Sequence, residues 1–251
     1  MFDPLAITGH VEMSPKRIRV VFGGETVVDS TAARLVWEHP HFPQYYFPLS
    51  DVAPGALVPT EVTTEREGLG TAVMYTVSAG GREALGGAWI YPESPVEAIR
   101  ELVRFSWSAM DRWYEESEQV YDHPRNPYAR IDVLESGRHV RVEVDGVTLA
   151  DSHRPKLLFE TGLPTRYYLH HDDVRFDLLE PSDSRSTCPY KGEARYWNVV
   201  TPTNTHPDIV WSYPAPFAEV QKIAGLVCFY NEKVDIHVDG ELEPRPVTKF
   251  S

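Results

Sequence analysis

The sequence predicts a mainly β protein with minor helix, built from two tandem domains of antiparallel strands, and three observations carry that expectation. Sliding the 251-residue chain against itself by 122 positions gives twelve identities over residues 17–52. Among them are Arg19/Arg141, Gly24/Gly146, Asp29/Asp151, Ser30/Ser152, Glu38/Glu160, Tyr45/Tyr167, Tyr46/Tyr168 and Asp51/Asp173. About two identities would arise by chance from average composition, so the chain is a tandem duplication. The second observation is punctuation: 21 prolines and 16 glycines break the chain too often for long helices. The third is alternation of apolar and polar residues with the period of a strand, ending in glycine-containing turns.

Taken in order, residues 1–16 read as a loosely held N-terminal arm and residues 17–121 as the first domain. Ile18, Val20 and Phe22 alternate, Gly23-Gly24 supplies the turn, and Thr26 to Val28 returns. Further strands are expected at Leu35 to Trp37, at the Tyr-Tyr segment, around Tyr75 and at Trp-x-Tyr-Pro. Pro95 to Arg104 has a leading proline and helical spacing, which predicts a short helix, and RFSWSAMDRWYEESEQ is expected to prolong it. Residues 122–137 read as an ordered polar linker, and 138–245 as the second domain. There Val140, Val142 and Val144 face inward with His139, Arg141 and Glu143 outward, Asp145-Gly146 turns, and Pro216 to Ile223 predicts the matching helix.

A formal charge of −13 argues against nucleic-acid partners, whose phosphates need a basic surface. No apolar run is long enough to span a bilayer, and the start lacks the apolar region of a secretory signal, so a cytoplasmic protein without membrane partners is expected. Two cysteines, Cys188 and Cys228, are too few for a disulfide framework or a thiolate zinc site, and no cofactor is expected.

The segments RVEVDGVTLADS, CPYKGEARYWNV, Trp-x-Tyr-Pro and FYNEKVDIHVDGE together resemble the family of domains of unknown function numbered 427, and the linker resembles that of its tandem members. The resemblance implies two β-tent-like domains. Other β-tents include the ligand-binding domain of cereblon and the methionine sulfoxide reductase B enzymes. Many hold zinc through paired Cys-x-x-Cys motifs, and because this chain has none, no metal is carried over.

The candidate chemistry gathers between Ser186 and Val199. Cys188 lies three residues before Lys191, and a nearby ammonium favours a nucleophilic or redox-active thiolate. Lys191, followed by Gly192, is equally suited to an anionic ligand. Tyr167, Tyr168, Tyr196, Trp197, Trp211 and Tyr213 form either core or the walls of an aromatic pocket, and Asp173 either orients a ligand or caps a turn. His170-His171 would point to opposite faces of a strand, and His39-Pro-His41 has suitable alternation but no evident third metal ligand. At the 122-residue offset Cys188 and Lys191 face Arg66 and Leu69, so the first copy keeps the scaffold without the polar loop. The leading reading is a metabolite-binding protein, monomeric with an intramolecular pseudo-dimer, whose site is in the second domain. A cysteine-dependent transferase or redox enzyme and a non-catalytic scaffold are the alternatives.

Overall fold

The computed structural model describes residues 9–248 and 250–251 and divides the chain into two compact units, Met1–Asn126 and Pro127–Ser251. The first contains strands β1 (His10–Met13), β2 (Ile18–Phe22), β3 (Glu25–Ser30), β4 (Arg34–Trp37), β5 (Gln44–Pro48) and β6 (Leu57–Arg66). It continues with β7 (Gly70–Ala79), β8 (Arg82–Ile90), β9 (Leu102–Phe105), β10 (Arg112–Glu115) and β11 (Glu118–Val120). The second contains β12 (Ile131–Glu135), β13 (Val140–Val144), β14 (Val147–Ser152), β15 (Lys156–Glu160), β16 (Arg166–Tyr168) and β17 (Leu179–Cys188). Its last five are β18 (Gly192–Val200), β19 (Thr205–Ser212), β20 (Val227–Phe229), β21 (Asp235–Val238) and β22 (Glu241–Leu242).

The two units repeat strand for strand. A seven-stranded sheet in the order β1-β4-β5-β9-β8-β7-β6 stands in the first. The second has β12-β15-β16 and β17-β18-β19-β20, the same order opened at one join, where only a bridge from Leu169 to Val227 remains. The smaller sheets, β11-β10-β2-β3 and β22-β21-β13-β14, also correspond. One detail repeats to the hydrogen bond: Ser30 Oγ donates to Asp51 at 2.6 Å, and Ser152 Oγ to Asp173 at 2.7 Å.

Strands β4, β5 and β16 of the larger sheets bury both faces, whereas the edge strands β6 and β17 are largely exposed. Successive side chains point oppositely, so Leu157, Tyr167 and Leu169 enter the core shared with the smaller sheet, while Leu158 and Tyr168 enter a second core on the far face. In the first unit Leu35, Trp37, Tyr45 and Phe47 divide in the same way from Val36 and Tyr46.

Five expectations require correction or refinement. Pro95 to Arg104 holds only a 3-10 turn, Glu97–Ile99, before β9 begins. The expected helical continuation is instead β9, a 3-10 turn at Trp107–Ala109, β10 and β11. The reason is tertiary: Trp113 pairs with Val20 in register and is buried in the core, outweighing local helix preference. Pro216 to Ile223 gives a 3-10 helix, Ala218–Ile223, interrupted at Val220 (φ −122°, ψ 22°). Part of the expected arm, His10–Met13, is strand β1 on β4, and part of the expected linker, Ile131–Glu135, is strand β12 on β15. The remainder of the arm, residues 1–8, lies outside the described residues.

Candidate functional site

The segment from Cys188 to Gly192 is the turn of a long hairpin, with Cys188 and Gly192 as the closing pair of β17 and β18. Gly192 has φ +98°, and a Cβ there would lie 3.4 Å from the Ala215 carbonyl oxygen, so the position suits glycine. Lys191 N donates to Cys188 O at 3.3 Å, and Phe217 N donates to Lys191 O at 3.2 Å. Held on both sides, the Lys191 side chain turns inward, and the residue is buried. Its ammonium is ion-paired with Glu160, at the end of β15, and lies 3.8 Å from Cys188 Sγ. Tyr213 completes the group. Burial drives its hydroxyl well above the ordinary range, and Cys188 and Glu160 add to that effect.

The first unit shows what Lys191 replaces. Glu38, the counterpart of Glu160, pairs with Arg104 at 2.8 Å and accepts a hydrogen bond from Tyr46 OH at 2.7 Å. The Arg104 guanidinium lies 4.3 Å from the Trp89 ring centroid. Arg104 pairs with Tyr46 and Trp89, and Trp211, the Trp89 counterpart, pairs with Cys228, which therefore holds Arg104's place. The buried carboxylate persists while its cation moves: Arg104 with Leu69 in one unit, Cys228 with Lys191 in the other.

Beside this group is an open cleft of about 450 Å³. Tyr196, Tyr230, Ser184, Ser186, Asp208, Lys233 and Phe250 line it. Tyr196 OH is 2.6 Å from Ser186 Oγ and is hydrogen-bonded to Tyr230, whose own hydroxyl is driven up chiefly by burial. Lys233 Nζ is 5.3 Å from the Tyr230 ring centroid. Asp208 receives a hydrogen bond from Ser184 Oγ at 2.7 Å on Oδ2, whereas its buried Oδ1 accepts none among the described residues.

The base of the Tyr230 wall is a buried arginine. Arg166 donates through Nη1 and Nη2 to the two Glu232 oxygens, each at 2.7 Å, and through Nη1 to Asn231 Oδ1 at 3.0 Å. The rings of Trp211, Tyr230 and Phe250 surround it, with centroids 5.6 to 5.8 Å away. Burial alone would raise the Glu232 carboxyl, but Arg166 and Thr248 outweigh it and hold it below its ordinary value.

The family model described as a domain of unknown function (DUF427) matches twice, at residues 10–116 and 132–240. The chain belongs to this family. No curated protein matches it. The two DUF427 segments fall in the two units and carry the same strand order, so the tandem organisation is present in both sequence and fold.

Within the second DUF427 unit, the predicted site residues separate into three places. Cys188, Lys191 and Tyr213 come together around Glu160, and Tyr168 and Trp211 pack in the same core, joined by a hydrogen bond of 3.3 Å. Tyr196 reaches the cleft. The others stand elsewhere: Tyr167 in the core between the sheets, Trp197 packed edge-on against Phe176, and Asp173 held by Ser152 and Arg154. Cys228 is fully buried, which pushes its thiol up to about 12. Sequence reasoning missed Glu160 as a partner of Lys191, and missed Arg166, Asp208, Tyr230 and Lys233. The identity Glu38/Glu160 was a signal for the first, because a repeated acidic residue within an apolar strand demands a buried counter-ion. Among the described residues no helix is long and apolar enough to cross a membrane.

Proposed function

We propose that the second unit binds a small organic molecule with a flat or aromatic body and polar substituents, in the cleft floored by Tyr196 and Tyr230. The observation that carries this reading is a ligand-sized cleft lined by Tyr196, Tyr230, Lys233 and Asp208, a carboxylate whose Oδ1 accepts no hydrogen bond among the described residues. Binding sites combine aromatic surface with a few placed polar groups, and an unmet buried acceptor is costly until a donor arrives. Asp208 would accept from a ligand hydroxyl or amine, the tyrosines would flank its body, and Lys233 would face an anionic substituent. Lys191 supports the wall by neutralising Glu160 and makes no ligand contact in this reading.

Saturation-transfer NMR with a panel of phenols, hydroxylated aromatic acids and sugars tests it. Compounds that bind wild type should lose their signal with Tyr230→Ala and Lys233→Ala and keep it with Lys191→Met. No binder in the panel, or binders indifferent to both cleft variants, would reject the proposal.

One contact favours a second reading, a reactive thiol at Cys188: its Sγ is half-buried, 3.8 Å from the Lys191 ammonium. Glu160 competes for that charge, which weakens the case. Iodoacetamide labelling across pH separates the two, since a Cys188 that reacts with the profile of an ordinary thiol removes the enzymatic version.

A further inference from the structure

The β13–β14 hairpin carries side chains used by neither the cleft nor the Lys191 group. Its register sets Val140 opposite Ser152 and Arg141 opposite Asp151. One step further out, His139 faces His153, and with a strand's alternation His139, Asp151 and His153 share one face. His139 Nε2 lies 2.8 Å from Asp151 Oδ1, and the two imidazoles stack with centroids 4.2 Å apart. One ligand atom from each of the three residues lies within 4.8 Å of the others, the only such convergence of three His, Cys, Asp or Glu side chains among the described residues.

The corresponding hairpin of the first unit has different chemistry at the same positions. Arg17, Asp29 and Thr31 replace the three, and Arg17 Nε donates to Asp29 Oδ1 at 2.6 Å. A guanidinium offers only N–H groups, so that carboxylate is closed off by its cation. The second unit exchanges the cation for two imidazoles, each with a lone pair when neutral. The backbone beneath is fixed: His139 N donates to Asp239 Oδ1 at 3.0 Å, Asp239 N returns to His139 O at 2.8 Å, and Arg138 Nε holds Asp239 Oδ2 at 2.7 Å.

The geometry points to a divalent transition-metal site formed by His139, Asp151 and His153, with Zn²⁺ the ion these donors suit. Two imidazole nitrogens and one carboxylate oxygen are a three-ligand set that leaves a position for water. Metal–ligand distances of about 2.0 Å put tetrahedral ligands roughly 3.3 Å apart. The His139–Asp151 pair must open by about half an ångström to meet that spacing, and His153 must swing out of its stack. Both motions are rotations of exposed or half-exposed side chains. His139 would coordinate through Nε2, giving up its hydrogen bond to Asp151 for the shared ion.

Calorimetric titration of chelator-stripped protein with Zn²⁺, paralleled by visible absorption with Co²⁺, tests the site. One equivalent should bind per chain, and His153→Ala and His139→Arg should each weaken it by at least about tenfold, the scale on which even supporting residues act. His139→Arg restores the ion pair of the first unit and so preserves the hairpin. Replacing His39 and His41 together by alanine should leave the titration unchanged, although their rings are also close, at 5.7 Å. No saturable uptake, uptake that survives both His139→Arg and His153→Ala, or uptake lost with the His39 and His41 pair overturns the assignment.

Discussion

Lys191 and Arg104 are unrelated by the repeat, yet each neutralises the same carboxylate position, Glu160 in one unit and Glu38 in the other. A buried carboxylate constrains its surroundings more strongly than it constrains the identity of the cation. The partner stands on strand β9 in one unit and in the β17–β18 turn in the other, while the acid keeps its place in the repeat. With both side chains of the Lys191–Glu160 pair only 8% exposed, removing one leaves an uncompensated charge. Lys191→Met should destabilise the second unit by about 3 kcal/mol, at the lower edge of the cost of breaking a buried pair. Lys191→Met combined with Glu160→Leu should recover most of that loss, because apolar replacement of the whole pair is close to neutral. Urea midpoints at unchanged slope are the measurement. A single variant within about 0.5 kcal/mol of wild type, the range of ordinary surface substitutions, would show that water already reaches the pair.

At the scale of elements, the two units join their sheets at hairpin corners by different means. In the first, the β2–β3 and β7–β8 turns meet backbone to backbone: a Cβ on Gly80 would stand 1.9 Å from Gly23 O, and one on Gly23 would stand 2.1 Å from Ala79 O. In the second, Asp145 occupies the place of Gly23 and accepts from His206 Nε2 at 2.8 Å, Asn204 Nδ2 at 3.0 Å and Thr201 Oγ1 at 2.9 Å. Those bonds, led by His206, hold its carboxyl down at about 2. Gly81, next to Gly80, has φ +72° and open space around it, so Gly81→Ala isolates the backbone cost of a left-handed residue, about 1 kcal/mol. Gly80→Ala should exceed it by roughly 2 kcal/mol from overpacking alone. Equal midpoints for the two variants would mean that the corners do not touch. The strands leading into these corners were legible because Ile18-Val20-Phe22 and Val140-Val142-Val144 alternate before glycine turns. The β9–β11 region was not, since RFSWSAMDRWYEESEQ favours helix locally and only pairing of Trp113 with Val20 decides otherwise. The site was legible in part. Cys188 and Lys191 are neighbours in sequence, whereas Glu160, Asp208 and Tyr230 reach it from separate strands and connections that no spacing reveals. His139, Asp151 and His153 converge through the hairpin register, whereas His170-His171 and His39-Pro-His41 are the histidine pairs that stand out by local spacing.

For the whole molecule, charge sets the response to acid. The ionised forms of Asp29, Asp173, Asp177 and Asp239 are favoured chiefly by hydrogen bonds from Arg17, Arg154, Arg175 and Arg138, which lower their carboxyl values in both units. Asp145 is held lowest. A carboxyl depressed in the folded state contributes stability that is fully present above its unfolded value, about 3.9 for aspartate, and disappears as pH falls through the folded value. Self-repulsion acts over a different range. The chain carries −13 at neutral pH and reaches zero net charge near pH 5.2, so acidification first relieves repulsion between unpaired acids. Below that point the growing positive charge and the protonation of paired carboxylates act in the same direction. The urea midpoint should therefore be highest between about pH 5 and 6 and fall steeply from about pH 4 to 2, following the carboxylate range. Added salt at pH 7 should raise the midpoint modestly by screening, and below the folded carboxyl values it cannot restore bonds whose acceptors are protonated. A midpoint that continued to rise below pH 4 would mean that general repulsion, and not the arginine-held carboxylates, governs the fold's response to acid.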